Sequence, residues 1–352
     1  MIELVNFYSG KRVLVTGHTG FKGAWLVQLL KNWGAEVAGY ALPADDESLF
    51  RMLNLDSEIH NCYSDIRDGK KLDEFVLEFE PEIIFHLAAQ ALVRSSYDDP
   101  KYTYETNVLG ALNLLESARK CPKLQSLVFV TSDKCYENNE WCWGYRETDK
   151  LGGFDPYSAS KAAAEILFSS HVRSFLTNSA HLRCASARAG NVIGGGDYSK
   201  DRIIPDCIRA AKNNTEVTIR SPNSTRPWQH VLEPLSGYLT LGYHLYEGEV
   251  ENGSAWNFGP STEMIITVKE VAETIFKKIG RGTLKETHQF SKMHEAGLLQ
   301  LNCDKAHSFL SWRPKWTGYE AIDKTAIWYA HVLNGSDATQ VTNQQIRDYF
   351  DE

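Results

Sequence analysis

Residues 11 to 33 constrain the fold more than any other stretch. Lys11-Arg12-Val13-Leu14-Val15-Thr16 reads as a short buried strand. It runs straight into Gly17-His18-Thr19-Gly20-Phe21-Lys22-Gly23, after which Trp25, Leu26, Leu29, Leu30 and Trp33 recur at helical spacing. A GxxGxxG turn between strand and helix lets backbone amides at the helix start approach a pyrophosphate. Gly17, Thr19, Gly20, Phe21, Lys22 and Gly23 are therefore candidate cofactor contacts. Three glycines alone are a weak signal; the flanking strand and helix give them meaning.

A third element follows at once. The apolar run Ala35 to Leu42 predicts a second strand, and strand, helix, strand in that order is the unit of a parallel sheet with right-handed crossovers. Dinucleotide-binding sheets usually end this strand in a carboxylate that holds the ribose hydroxyls, but Val37-Ala38-Gly39-Tyr40-Ala41-Leu42 offers none, and the nearest acids are Asp45 and Asp46. No arginine stands there for a 2′-phosphate either, so these residues leave NAD and NADP undecided. The next strongly apolar strand, Ile83-Ile84-Phe85-His86-Leu87, leads into Ala88-Ala89, whose small side chains suit either a cofactor lying close to the strand end or plain tight packing.

The chemistry concentrates between residues 127 and 161. Leu127-Val128-Phe129-Val130 predicts a strand ending in Thr131-Ser132-Asp133-Lys134. A helix is expected soon after, with Asp155 as its cap, Pro156 at its first position, and Tyr157 and Lys161 one turn apart. That spacing sets the Lys161 ammonium beneath the Tyr157 phenol. With the helix dipole, it is expected to favour the phenolate, so that the tyrosine accepts a proton from a sugar hydroxyl to which Ser132 donates a hydrogen bond. By itself YxxxK is as readily an ordinary surface pair; the glycine turn about a hundred residues earlier shifts the balance.

At 352 residues the chain holds one large or two modest domains. Its net charge of −8 argues against a general nucleic-acid binder, so any phosphate must be met by local arginines. Arg202, Arg220 and Arg226 are candidates for that role. Seven scattered cysteines without CxxC spacing point to reduced thiols rather than disulfides or a metal site. No basic start with a long apolar run and no membrane-length apolar stretch is present, which leads to the expectation of a soluble cytoplasmic protein without a membrane partner. The glycine-dense Gly190 to Asp197 lets backbone pass close to a ligand, with Asn191 able to bond a phosphate or sugar, or else is a turn cluster. Residues 137 to 154 break all periodicity and read as a functional loop over the site. Helices are expected near 267 to 279 and 318 to 333, and the polar stretch from Asn334 is expected to be peripheral, with a short helix possible from Val341 to Phe350.

TGHTGFKG with YSASK resembles the extended short-chain dehydrogenase/reductase superfamily. The segments HTGFKGAW (18 to 25), AAQALVR (88 to 94), TSDKCY (131 to 136), GGFDPYSASK (152 to 161), RAGNVIGGGD (188 to 197) and RPWQHVLEPLSGY (226 to 238) are similar to its nucleotide-sugar 4,6-dehydratases. The resemblance covers about residues 9 to 330. It implies an α/β fold, a Rossmann-type doubly wound parallel sheet with a smaller C-terminal mixed α/β substrate lobe. The expected division is 1–190 for NAD and catalysis and 191–352 mainly for the nucleotide sugar, with segments near 227–255 and 298–309 returning to the large domain. NAD is the implied cofactor, with Asp65, Ile66, Leu87, Ala88, Ala89, Thr106, Thr131, Tyr157 and Lys161 among its contacts; Asp65 equally suits a helix cap. Arg94, Ser95, Asn191, Arg202, Arg220, Arg226 and Asn257 are the expected substrate contacts. His294 joins them because the arginine that related epimerases carry before Leu299-Gln300-Leu301-Asn302 is missing here.

The same resemblance assigns roles at the strand end: Asp133 as the acid at O6 and Lys134 as the base at C5. Better-known dTDP-glucose and GDP-mannose enzymes carry glutamate at the latter position, and the lysine matches the cytidine-linked branch, with CDP-glucose as substrate and a 4-keto-6-deoxy sugar nucleotide, a precursor of polysaccharide deoxysugars, as product. A lysine base must first lose its proton, which desolvation and neighbouring cations promote. Alternatively Lys134 simply pairs with an acid. The helix at Thr106-Asn107 and the Tyr157 helix form the face through which such proteins assemble, so a homodimer or dimer of dimers is expected. Rival readings are another nucleotide-sugar dehydratase, a 4-epimerase or decarboxylase on the same scaffold, and a non-catalytic NAD-sensing regulator.

Overall fold

The computed structural model describes residues 2–177, 181–219, 221–261, 266–286 and 298–351. Seven strands make the central sheet: β1 (Arg12–Thr16), β2 (Glu36–Ala41), β3 (His60–Tyr63), β4 (Ile83–His86), β5 (Ser126–Val130), β6 (Arg183–Ala189) and β7 (Ala255–Phe258). Their order is β7-β6-β5-β4-β1-β2-β3, and every pairing is parallel. Sheets of this kind are covered on both faces, which is why the inner strands β1, β4 and β5 are largely apolar rather than alternating. Successive residues feed opposite cores: Val13 and Val15 pack on one side, Leu14 on the other.

The helices that cover the sheet carry the predicted stop and start signals. They are α1 (Phe21–Asn32), α2 (Gly69–Phe79), α3 (Gly110–Lys120) and α4 (Pro156–His171). Asp155 Oδ1 accepts from the Ser158 amide at 2.9 Å, and Pro156 occupies the first turn of α4 as expected. Asp68, not Asp65, caps α2, accepting from Lys71 N at 3.1 Å. A π-helical turn at Glu105–Leu109 leads into α3, where the sequence predicted a plain helix start.

Further along lie α5 (Ile203–Asn213), α6 (Leu232–Glu247), α7 (Val268–Ile279), α8 (Gly318–Leu333) and α9 (Ala338–Phe350). Helix α6 returns to the sheet, where Ser126 Oγ donates to Gly242 O at 2.9 Å. Around α7, short strands pair 216–219 with 283–286 and 225–226 with 266–267. The C-terminal stretch departs from the expectation of a peripheral tail. Ile346, Tyr349 and Phe350 are buried, Phe350 packs edge-on against Trp33 at 4.9 Å, and the Tyr349 hydroxyl donates to the buried Glu233 at 2.6 Å. Most of its polar residues line the outer face of an amphipathic helix, while Thr342 and Gln345 are buried with Ile346 and Tyr349 on the inner one, and the polar composition dominated the sequence impression. The stretch Leu299–Asn302, expected as a strand, makes a single bridge from Leu301 to Tyr145. Among the described residues no helix is long and apolar enough to cross a membrane.

Candidate active site

Parallel sheets place their binding crevice at the carboxyl ends of the strands, and the candidate residues gather there. Gly17 leaves β1 with φ +74, and a Cβ on it would lie 2.7 Å from Ala88 N; a Cβ on Gly23 would lie 2.2 Å from Gly17 O. Turn and helix are thus packed too closely for side chains. Gly20 caps α1 without any side-chain hydrogen bond, leaving first-turn amides for an anion. Ala88 N bonds Thr16 Oγ1 at 3.2 Å and Leu87 N bonds Thr16 O at 3.1 Å, so Leu87, Ala88 and Ala89 border the same turn. Thr19 Oγ1 donates to Leu42 O at 3.0 Å. The buried Thr106 hydroxyl has no partner among the described residues. A side-chain-free cradle and an orphaned buried hydroxyl fit a dinucleotide.

Asp65 and Ile66, just beyond β3, have close protein neighbours. Asp65 is held by Arg67, whose guanidinium reaches it at 2.8 Å and Glu105 at 3.0 Å; Arg67's bonds hold its carboxyl below the usual range. Ile66 is buried under Gly110. Asp45 and Asp46 are exposed beyond β2.

At the end of β5 the chain makes one 3₁₀ turn, Asp133–Cys135, started by Ser132. The Ser132 hydroxyl donates to Asp133 Oδ1 at 3.0 Å and accepts from Lys134 N at 3.3 Å. Asp133 Oδ2 fills the space a Cβ on Gly190 would need. Burial pushes the Asp133 carboxyl up, against the pull of Lys134, Ser132 and Lys22. The half-buried Lys134 forms no ion pair among the described residues, and its charge acts on the neighbouring Asp133. Thr131 does not face a ligand with its hydroxyl; it donates to Glu165 on α4.

Tyr157 and Lys161 occupy the first turns of α4, whose start is docked by Tyr157 N donating to Ser96 Oγ at 3.1 Å. In the protein alone, burial acts on both groups. Burial pushes Tyr157 up to about 12, with Asp133 adding to the rise, while Ser132 and Arg202 pull the other way. Lys161 is itself pushed down to about 8 by burial, partly opposed by Glu165. Desolvation of two buried groups outweighs their one-turn spacing.

Two groups at this centre escaped the sequence reading. Lys22, counted only as part of the glycine turn, extends its side chain to the Tyr238 hydroxyl at 3.4 Å. Its pKa is pushed down to about 7 by burial and by the charges of Arg202 and Lys161. Tyr238 on α6 is fully buried and senses both Tyr157 and Asp133. The second group is Glu165, four residues beyond Lys161; the spacing was visible, but its partner Arg188 is contributed by another strand.

The substrate candidates scatter. Arg94 pairs with Asp201 at 2.5 Å and Arg202 with Asp197 at 2.8 Å, so both guanidinium groups bind the same 197–201 turn at the cleft. Ser95 is half-buried on the helix Val93–Asp98. Arg226 lies on a short strand with Nη1 on Thr225 O at 2.8 Å, and Asn191 lends its carbonyl to Gln229 N. Asn257 is not available as a ligand contact: it is fully buried, accepting from Tyr136 at 2.8 Å and donating to Tyr145 O and Asn302 O. The glycines at 194 to 196 make room for protein, as a Cβ on Gly195 would collide with Trp328 at 1.9 Å. Arg220 and His294 lie outside the described residues.

A parallel dinucleotide-type sheet with serine, tyrosine and lysine at the end of its fifth strand defines a short-chain dehydrogenase/reductase of the extended kind. A family model described as GDP-mannose 4,6 dehydratase matches residues 14–325, and the chain belongs to that family of nucleotide-sugar dehydratases. It is 45% identical over 350 residues to the CDP-glucose 4,6-dehydratase of Salmonella typhimurium, covering 98% of both chains. Among solved structures, the UDP-glucose 4-epimerase of Thermus thermophilus in complex with NAD is 26% identical with a TM-score of 0.74, covering 92% of this chain and 99% of that one. The dTDP-glucose 4,6-dehydratase of Bacillus anthracis shares the fold at 23% identity and TM-score 0.75, covering 91% of this chain and 96% of that one.

Proposed function

We propose that this chain converts CDP-D-glucose to CDP-4-keto-6-deoxy-D-glucose and water. The observation that carries the reading is the adjacency of Asp133 and Lys134 to Ser132 and the buried Tyr157–Lys161 pair, together with full-length identity to a relative of that name. Tyr157, hydrogen-bonded through Ser132, takes the 4-hydroxyl proton, with the Lys161 ammonium stabilising the phenolate. NAD, held by the glycine turn, would supply the acceptor for the C4 hydride and the donor for its return to C6. Once C4 is a ketone the C5 proton is acidic; Lys134 removes it while Asp133 protonates the departing O6. Lys134 then returns its proton to C5.

The nucleotide is held, on this reading, by the glycine turn and Thr106, and the diphosphate of the sugar by Arg202 and Arg226, with guanidinium forks matching its oxygens. The assignment of residues 1–190 to the cofactor and 191–352 mainly to the sugar belongs to the same proposal, as does a cytoplasmic location. So does a homodimer or dimer of dimers, assembled through the helices around residues 105 to 176. Leu109 and Phe175 in their π-helical turns and Ile166 on α4 leave more than half of their surface exposed there, at 54%, 55% and 59%.

Mass spectrometry of the protein incubated with CDP-, dTDP-, UDP- and GDP-linked hexoses, with and without added NAD, tests the function. Loss of one water from CDP-glucose alone is expected. Conversion of a different nucleotide sugar would move the specificity, and an unchanged mass throughout would remove the dehydratase reading.

A further inference from the structure

The protons of this reaction do not return to their starting places unaided. In each turnover Tyr157 gains the proton of the 4-hydroxyl, while Asp133 loses one to the oxygen that leaves as water. Lys134 takes a proton from C5 and gives one back, and the hydride leaves and returns. After one cycle the enzyme therefore holds one proton too many on Tyr157 and one too few on Asp133.

Both groups are closed off from bulk water. Tyr157 is 8% exposed, Asp133 4%, and Ser132 between them 7%, and a bound product would cover the cleft further. The Ser132 hydroxyl donates to Asp133 Oδ1 at 3.0 Å, and the same side chain pulls the Tyr157 phenol down against its burial. The Lys134 amide, donating to Ser132 Oγ at 3.3 Å, fixes the serine between them. One hydroxyl that can accept from a phenol and donate to a carboxylate is the shortest possible proton wire.

We infer that Ser132 resets the enzyme by relaying the surplus proton from Tyr157 to Asp133. This rests on the dehydratase reading. In the step the Tyr157 O–H bond breaks as its proton passes to Ser132 Oγ, and the Ser132 O–H bond breaks as its own proton passes to Asp133. Tyr157 becomes phenolate, Asp133 becomes carboxylic acid, and Ser132 is unchanged. The surroundings of the two ends bear on it. Burial raises the Asp133 carboxyl and so favours its reprotonation, while Ser132 and Arg202 work against the larger rise that burial imposes on the Tyr157 phenol.

The test compares the first turnover with the following ones in Ser132→Ala and Ser132→Thr holoenzyme, by rapid quench and mass detection of the CDP-4-keto-6-deoxy product. Because Ser132 also serves the Tyr157 step, Ser132→Ala is expected to slow the first turnover and to slow the following ones by a further about 10²-fold, the lower end of what a positioned proton-transfer group contributes. Small buffer acids such as imidazolium should accelerate the later turnovers and leave the first one unchanged. Ser132→Thr, which keeps a hydroxyl and controls for folding, should retain both rates within a few-fold. Equal slowing of all turnovers in Ser132→Ala, with no response to buffer, would overturn the relay while leaving the dehydratase reading intact. Absence of dehydrated product from the unmodified enzyme would instead remove that reading and the relay with it.

Discussion

Glu165 on α4 and Arg188 on β6 form an ion pair at 2.7 Å directly behind the reaction centre, with both side chains all but fully buried. The carboxylate also accepts from Thr131 and from Ser186 at 2.8 Å, and the guanidinium donates to Tyr136 at 2.8 Å. Two strands and the helix that carries Tyr157 and Lys161 thus share one charge network. Removing one partner of a buried pair leaves an uncompensated charge, so Glu165→Gln should destabilise the fold by about 3 to 5 kcal/mol. Urea unfolding measures this; a loss below about 1 kcal/mol would mean that the network is not structural.

Lys161 carries the opposite balance. It is buried, without an ion pair among the described residues, and its folded pKa of about 8 lies below the ordinary lysine value of 10.5. A cation whose pKa falls on folding costs stability below its folded pKa, because there the unfolded chain holds the proton more firmly. Lys161→Met should therefore stabilise the protein at pH 7, by up to about 3 kcal/mol, while abolishing turnover. The gain should shrink between pH 8 and 10.5 as the native lysine loses its proton. Thermal unfolding across that range checks it, and a variant less stable than its parent at pH 7 would contradict it.

Lys134 can be removed without touching the core, since it is only half-buried. If it is the C5 base, Lys134→Ala should lower kcat for water loss by about 10² to 10⁴-fold and leave CDP-glucose affinity within a few-fold. Calorimetric titration beside the mass assay separates the two effects. Turnover at the parent rate would exclude the lysine from the elimination.

The elements legible in the sequence were those specified by neighbours in the chain. The glycine turn, the Asp155-Pro156 helix start and the apolar strands each depend on residues within a few positions of one another. What stayed hidden was set by tertiary packing. Asn257 looks like a ligand contact until Tyr136, Tyr145 and Asn302 are seen to use its whole amide. Lys22 looks like a surface residue beside a phosphate turn until α6 brings Tyr238 over it. The surroundings of the Tyr157 phenol were hidden for the same reason: helical spacing places it one turn from Lys161, whereas the burial that raises its proton affinity comes from the rest of the chain.

The C-terminal helix supplies the remaining prediction. Glu233, at the start of α6, is fully buried and accepts from Tyr349 at 2.6 Å, Trp316 N at 2.8 Å and Lys315 N at 3.0 Å, so it ties α9 and the 315–316 segment to α6. Burial pushes its carboxyl up to about 7, and these donors only partly oppose the rise. An acid whose pKa rises on folding binds its proton more tightly in the native state, so its contribution falls as pH climbs from about 4.5 to 7 and is constant above. Over that window the docking of α9 should weaken by at most about 3 kcal/mol, readable as faster amide exchange in residues 338–350. Glu233→Gln keeps an acceptor for the Tyr349 hydroxyl and cannot ionise. Its exchange rates, corrected for intrinsic chemistry, should not vary with pH; a slope equal to that of the unmodified protein would place the sensitivity elsewhere.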